Sequence, residues 1–246
     1  MRRNHKIKLT KLAVWVLAVI VLWGIKSFLL KADTNIEEYP KQVETSILNN
    51  SSTPENFYSV IGRANFQYLN PNAINTIETY GDLDIFGRPT YAYTKITQEN
   101  YKVEMGIPRK EIKVDPAGWV KPNPKVKLTF GGNSYKGYLY NRSHLLADSL
   151  GGEPIQENLI TGTRLQNVGW NKAGHEGGMG YGETISRDWL SKHPEGYLLY
   201  EVWCHYNGND LISDYQIVNI LTSDGLIDQQ IKVFNGTGSV SVEYLK

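Results

Sequence analysis

The segment 141–144, Asn-Arg-Ser-His, places a titratable imidazole two residues after a guanidinium. Asn167 follows 23 residues after His144, and Glu183 lies 16 residues further on. A histidine can take a proton from water near neutral pH, amide and carboxylate oxygens bind hard cations, and arginine binds phosphate. Hydrolysis of a phosphodiester needs an activated water, a cation for the developing charge and help for the leaving oxygen. These residues are therefore candidates for that chemistry.

Local patterns around this segment predict the elements that would position it. Leu159-Ile160 is a short apolar pair that we expect to run beside the segment around His144. A helix is expected from about 163 to 172, because Thr163 and Gln166 have the spacing of a capping box. A strand end followed by a turn, a strand and a helix is the order that brings a histidine close to an amide on the helix, here Asn167.

The rest of the chain predicts an α+β fold. Strands are expected at 90–96, at 126–130 and 135–140 (a hairpin through Gly131-Gly132-Asn133), and in several runs of 197–246; a loop is expected at 106–125, a mobile glycine-rich loop at 173–182, and a helix from about 182 to 192. The lone Cys204 lies in a bulky, strand-like run and is given no catalytic role.

Taken together, these residues resemble the DNA/RNA non-specific endonuclease family, which carries a ββα-metal (His-Me) finger. The resemblance rests on 141–144, 158–160, Asn167 and Glu183, with weaker support from Leu-Asp-Ile-Phe-Gly-Arg at 83–88. It points to the branch of streptococcal secreted and surface DNases and covers roughly residues 57–246. The fold that it implies is a mixed, mostly antiparallel sheet with a ββα-metal finger core.

The resemblance also implies a role for each site residue. His144 would be the general base, Arg142 would contact the scissile phosphate, and Asn158 would orient the site. Asn167 would be the direct protein ligand of Mg²⁺, with Mn²⁺ as a substitute, and Glu183 would hold one of the metal's waters. Arg109 is not part of the resemblance; its position in the basic loop makes it a candidate for a second phosphate contact, and a solvated arginine fits the sequence equally well.

For two of these residues the sequence also fits an explanation without a role in the site, and one position departs from the family pattern. Asn171 shares a helix face with Asn167, and Glu183 could serve only the helix dipole. Much of the family has aspartate at the position of Asn141, in an Asp-Arg-Gly-His motif. Without that carboxylate, we expect a lower pKa for His144 and a neutral base. Ser143 replaces the glycine, a change also found in the streptococcal branch.

The first 31 residues have the pattern of an export segment. Five basic residues precede an uncharged apolar run of 14 residues from Leu12 to Ile25. As a helix the run spans roughly 21 Å, and extension to Leu30 gives about 28 Å, close to a hydrocarbon core of about 30 Å. A cleaved signal peptide and an uncleaved anchor with the enzyme outside the cell both fit, and the poor cleavage sites favour the anchor. Residues 32–56 are predicted to be a polar linker, and 57–246 a nuclease domain.

Charge is unevenly distributed along the chain. Residues 1–31 hold seven of the 26 basic and none of the 25 acidic residues, so the remainder carries a net charge of −6. Between Tyr101 and Arg142, however, nine basic residues stand against three acidic ones. A net-acidic body is not typical of a protein that coats DNA, but a local basic stretch is compatible with one phosphate-attracting face. A solvated strand face with scattered lysines would look the same.

The expected function is an extracellular, Mg²⁺-dependent, sequence-nonspecific endonuclease that hydrolyses phosphodiester bonds of DNA, with RNA as a further substrate. Its expected partners are the nucleic-acid backbone and, if the N-terminal segment is uncleaved, the membrane. One alternative is a catalytically inactive surface protein that binds DNA or cell-wall polymers, although the intact His144, Asn158, Asn167 and Glu183 argue against degeneration. A base-specific ribonuclease is a third reading.

Overall fold

The structure is a computed structural model that describes residues 53–72, 78–170 and 176–245. The predicted export segment and most of the predicted linker lie outside these ranges. Within them the strands are β1 (Tyr58–Gly62), β2 (Thr79–Tyr80), β3 (Tyr91–Thr97), β4 (Lys125–Phe130), β5 (Asn133–Tyr138), β6 (Tyr140–His144), β7 (Leu159–Thr163), β8 (Tyr197–His205), β9 (Tyr215–Thr222), β10 (Asp228–Phe234) and β11 (Ser241–Tyr244). The α-helices are α1 (Gln98–Gly106), α2 (Arg164–Val168) and α3 (Met179–Lys192). None of the helices in the described ranges has the length and apolar character needed to cross a bilayer.

The strands form three antiparallel sheets. The largest has the order β1-β10-β9-β8-β3-β2, a second has the order β11-β4-β5, and β6 pairs with β7 alone. The predicted α+β class with mostly antiparallel pairing is therefore confirmed. The predicted hairpin is present as β4–β5, but its second strand ends at Tyr138. At Leu139 the chain turns to other partners, because its N–H donates to Pro124 and its carbonyl accepts from Arg164.

The main core lies between the six-stranded sheet and α3. Alternate residues of β8, among them Leu198, Tyr200 and Val202, are fully buried on the face that packs with Trp189 and Leu190 of the helix. A second core lies beneath the three-stranded sheet and is built from Phe57, Val126, Leu128, Leu139, Leu165 and Ile212, among others. Cys204 lies in β8 as predicted, and burial raises the pKa of its thiol to about 12. The thiol is therefore protonated at neutral pH.

The helices differ from the sequence-based predictions at their ends. Thr163 caps α2 as predicted, since its hydroxyl accepts from the N–H of Gln166 at 3.0 Å. The helix stops at Val168 rather than near 172, because Gly169 takes a positive φ of 53°. The helix predicted from 182 begins at Met179, so residues 179–182 of the predicted mobile loop are helical instead. Residues 171–175 lie outside the described ranges.

The helix α1 was not predicted. Its sequence alternates polar and apolar residues without a clear helical stripe, so periodicity does not reveal it. The helix follows β3 directly, and the Thr97 hydroxyl accepts from the N–H of Asn100 at 3.2 Å near its start. From 107 to 124 the chain has no regular element, as predicted.

Candidate active site

The strands β6 and β7 and the helix α2 form one continuous ββα unit. Antiparallel pairing sets His144, the last residue of β6, opposite Leu159, the first residue of β7. The helix follows β7 without a linking residue, because Thr163 both ends the strand and caps the helix. The sequence-predicted base and metal ligand, His144 and Asn167, are thus carried by adjacent elements of one rigid unit.

Ser143 joins the strand to the helix. Its side chain is fully buried, and its hydroxyl donates to Oδ1 of Asn167 at 3.0 Å. Asn167 itself is only partly buried. Because Ser143 immediately precedes His144, this bond ties the amide of Asn167 to the backbone next to the candidate base.

The imidazole of His144 is held in its neutral form. The residue is 7% exposed, and its Nε2 is buried without a hydrogen-bond partner among the described residues. Burial, reinforced by the positive charge of Arg109 and opposed by Asp148, lowers the pKa of His144 to about 4. The direction agrees with the expectation drawn from Asn141, but the causes are burial and Arg109. At neutral pH the ring can therefore accept a proton.

This pKa predicts an acid-dependent loss of stability. The unfolded histidine titrates near pH 6.5 and the folded one near 4, so between these values the unfolded state binds a proton that the folded state does not. The free energy of unfolding should therefore fall as the pH drops from about 6.5 to 4, by roughly 3 kcal/mol from this group. Urea unfolding of the metal-free protein across this range measures the effect.

The matched variant for this measurement is His144→Gln, which keeps a polar side chain and cannot titrate. Its free energy of unfolding should depend less steeply on pH between 4 and 6.5 than that of the wild-type protein, because both share every other titrating group. Parallel pH profiles for the two proteins would show that His144 is not a buried neutral imidazole.

Arg142 is oriented by the irregular segment 107–124. Its Nε donates to Oδ1 of Asp115 at 3.0 Å, and its guanidinium carbon lies 4.4 Å from the ring centre of Trp119. Hydrogen bonds from Lys121 and Arg142 hold the pKa of Asp115 below its usual value. The guanidinium is partly exposed, at 34% for the side chain. The predicted phosphate contact is thus fixed in place two residues before His144.

Arg109 lies close enough to the candidate base and to the candidate acidic residue for its charge to act on both. Its positive charge lowers the pKa of His144 and also acts on Glu183. Its side chain is 73% exposed, with Nε 3.8 Å from Oδ2 of Asp148. The structure therefore brings Arg109 to the site, where its guanidinium faces solvent.

Glu183 lies on the second turn of α3 and forms a pair that the sequence reasoning missed. Burial raises its pKa, and the charges of Arg187 and Arg109 oppose this. Arg187, one helical turn later, has Nη1 3.6 Å from the Glu183 carboxylate and also donates to the hydroxyls of Ser149 and Thr184. The i, i+4 spacing of glutamate and arginine was the available signal. The helix dipole acts most strongly on charges in the first turn. Because α3 begins at Met179, Glu183 lies in the second turn, where this effect is weaker.

Asn158 binds the backbone of the segment that follows His144. It is fully buried; its Oδ1 accepts from the N–H of Leu146 at 2.8 Å, and its Nδ2 donates to the carbonyls of Leu146 and Glu153, both at 2.9 Å. These bonds hold the segment 145–153 in place. Within it, Asp148 pairs with Arg109 and Ser149 accepts from Arg187. The Nδ2 group of Asn158 therefore donates both of its hydrogens to backbone carbonyls.

Comparison with known proteins identifies the family of this chain. Residues 70–223 match the family model described as DNA/RNA non-specific endonuclease, which covers more than half of the chain. The chain belongs to this family. A deoxyribonuclease of Streptococcus dysgalactiae subsp. equisimilis is 31% identical over 239 residues, with 78% of this chain and 72% of that protein covered.

Solved structures of family nucleases show the same fold. The structure of Sda1 nuclease with a bound zinc ion is 32% identical, with a TM-score of 0.66 over 74% of this chain and 91% of that one. NucA from Streptococcus agalactiae with magnesium bound has 17% identity and a TM-score of 0.54, over 74% and 85% of the two chains, a likeness of fold alone. The resemblance to streptococcal nucleases is confirmed, and the family assignment makes this chain a non-specific endonuclease.

Proposed function

We propose that the protein is an extracellular, Mg²⁺-dependent endonuclease that cuts DNA without sequence preference, with RNA as a further substrate and Mn²⁺ as a substitute metal. One observation carries the proposal above the others. The ββα unit holds a buried, neutral imidazole with an unpartnered Nε2 at His144, directly beside the Ser143–Asn167 pair. A base and a metal ligand on one rigid unit are the parts that hydrolysis of a phosphodiester requires.

The residues act as follows in this proposal. Neutral His144 takes a proton from a water through a ring nitrogen as that water attacks phosphorus, the scissile P–O bond breaks, and the leaving oxygen takes a proton from solvent water. Arg142, held against Asp115 and Trp119, and the exposed Arg109 bind the phosphate oxygens and place the scissile bond beside the base. A bound Mg²⁺ would supply positive charge for the oxygens on which negative charge develops.

The side chains near the base fit a hard divalent cation. Asn167 offers an amide oxygen that keeps one lone pair free after it accepts from Ser143. Glu183 offers a carboxylate on the neighbouring helix, which would hold water of the metal rather than the metal itself. Oxygen ligands and retained waters are what Mg²⁺ prefers. Sda1 was solved with zinc and NucA with magnesium, which supports a divalent ion.

Recognition through the backbone follows from the charged residues of the site. Many basic residues of the stretch 101–142 pair with carboxylates in the structure, among them Lys110 with Glu153 and Lys127 with Glu243. Arg109 and Arg142 also pair with carboxylates, those of Asp148 and Asp115, but their side chains stay 73% and 34% exposed and can still bind phosphate. Contacts to phosphate carry no sequence information, and cleavage should weaken with added salt.

Export is the remaining part of the proposal. The basic residues and apolar run of segment 1–31 support transport across the membrane, with the nuclease domain outside the cell. The segment would serve either as a cleaved signal peptide or as an anchor.

The direct test is incubation of the purified protein with supercoiled plasmid and Mg²⁺, with and without EDTA. We expect conversion to a smear that EDTA abolishes, and no protection of any particular sequence. The same assay with RNA tests the second substrate. Binding of plasmid without metal-dependent cutting would favour the inactive DNA-binding protein, and cleavage of RNA with DNA spared would favour the ribonuclease.

Removal of the proposed metal ligand makes a sharper prediction. Asn167→Ala should need more Mg²⁺ for half-maximal cleavage, by a factor of about 10 to 100 if an oxygen ligand is lost. A Mg²⁺ titration of the initial cleavage rate measures the shift. The exposed Asn207→Ala is the matched control and should leave the titration curve unchanged. An unaltered curve for Asn167→Ala would remove this residue from the metal site.

A further inference from the structure

We propose that Ser143 is a positioning residue for the metal site, whose hydroxyl holds the carboxamide of Asn167 in the ligand orientation before the metal arrives. The inference rests on the proposed role of Asn167 as the protein ligand of the divalent ion. It concerns a residue that is glycine in the Asp-Arg-Gly-His motif, so that motif lacks the hydroxyl.

The first support is the geometry of the hydrogen bond. The Ser143 hydroxyl lies 3.0 Å from Oδ1 of Asn167, across the contact between β6 and α2. Ser143 is fully buried, so water does not compete for its hydroxyl, whereas Asn167 is partly exposed at the edge of the unit. The bond therefore joins a fixed anchor to a side chain that would otherwise be free to rotate.

The second support is the tight packing around the anchor. A Cβ placed on Gly162, across the strand pair, would lie 2.9 Å from Cβ of Ser143 and 2.1 Å from Oε1 of Gln166. No space for an added methyl group exists on this side, so the serine side chain is confined by its neighbours. The Ser143 side chain is therefore packed in place beside Asn167, to which its hydroxyl donates.

The chemical consequence follows from the two ends of an amide. A freely rotating asparagine presents its oxygen or its NH₂ group to the site, and only the oxygen can bind a cation. A donated hydroxyl proton selects the oxygen on the side of Ser143 and leaves its second lone pair for the metal. Hydrogen bonds of this kind to metal ligands typically change metal affinity by about 10- to 100-fold.

The experiment measures metal binding without nucleic acid. Isothermal titration with Mn²⁺ would compare the full-length wild-type protein, Ser143→Ala, Asn167→Ala and the double variant. We expect Ser143→Ala to bind Mn²⁺ about 10-fold more weakly, and the double variant to bind no more weakly than Asn167→Ala alone, because the hydroxyl acts only through that amide. Ser191→Ala, which removes an exposed hydroxyl near the end of α3, should bind as the wild type does.

Cleavage supplies a second readout. Saturating Mg²⁺ should return Ser143→Ala to the wild-type kcat, since excess metal drives the amide into the ligand orientation; a general packing defect would not be rescued in this way. Should Ser143→Ala fold poorly by circular dichroism, Ser143→Gly restores the motif residue and carries the same expectation.

The outcomes separate this inference from the proposed function. Wild-type Mn²⁺ affinity in Ser143→Ala, together with weak binding in Asn167→Ala, overturns the role of Ser143 and leaves Asn167 as the ligand. Unchanged affinity in Asn167→Ala overturns the ligand assignment itself. Additive losses in the double variant also overturn the inference, because they show that Ser143 acts independently of Asn167.

Discussion

His144→Ala should yield a folded protein that cleaves DNA about 10²- to 10⁴-fold more slowly than the wild type, the range expected for loss of a general base. The imidazole is the titratable group that the ββα unit delivers with an unpartnered, buried nitrogen. Because its pKa is near 4, it is ready to accept a proton at neutral pH. Initial cleavage rates of plasmid at pH 7 and saturating Mg²⁺ measure the loss.

Two further variants make this result specific to the base. His144→Gly opens the space of the ring, and added imidazole should restore part of its activity, which no repair of folding would mimic. His193→Ala removes a histidine that follows the last residue of α3 and hydrogen-bonds to the Trp189 carbonyl, and it should keep near-normal rates. A folded His144→Ala protein with near-normal cleavage would show that another group activates the water.

Asn158→Ala should lower the free energy of unfolding by about 3 kcal/mol or more. The substitution leaves the N–H and carbonyl of Leu146 and the carbonyl of Glu153 without their partner, and each buried polar group left unpaired costs about 1–3 kcal/mol. Urea denaturation followed by tryptophan fluorescence measures the change. Activity should fall as well, because the segment 145–153 places Asp148 and Ser149 against Arg109 and Arg187.

The two readouts together distinguish a structural amide from a residue that touches the substrate. Asn207→Ala, at an exposed turn, should leave both the free energy of unfolding and the cleavage rate unchanged. An Asn158→Ala protein with wild-type stability and no activity would mean that the amide contacts the nucleic acid directly, contrary to its burial.

The ββα unit was predictable because each of its signals is local. Thr163 and Gln166 have the spacing of a helix start, and the apolar Leu159-Ile160 pair is typical of a strand. The order of the elements around His144 was therefore predictable from neighbouring residues. The helix α1 escaped because it has no apolar stripe. The beginning of α3 was not predicted, because the glycines at 178, 180 and 182 are typical of a loop. In the structure, Gly182 is helical and allows α3 to pack closely against Ile220.

Residues that act through distant partners were beyond such reasoning. The sequence predicted that Arg142 binds phosphate. It did not predict the contacts of Arg142 with Asp115 and Trp119, because these depend on how the segment 107–124 packs against β6. The i, i+4 spacing of Glu183 and Arg187 was a local signal, but the bond from Arg187 to Ser149, 38 residues away in sequence, was not predictable. Long-range contacts of this kind leave no periodic trace along the chain.

By itself, the sequence determined the chemical parts of this endonuclease: a histidine, an arginine and an asparagine at the spacing of a ββα-metal finger. The tertiary structure determined their burial and, for His144, the pKa. Asn141 had suggested a neutral base, but the pKa of His144 falls mainly because the fold buries the ring and brings Arg109 beside it. Burial and nearby charge depend on segments far apart in the chain, and desolvation acts on the ring only once those segments have packed around it.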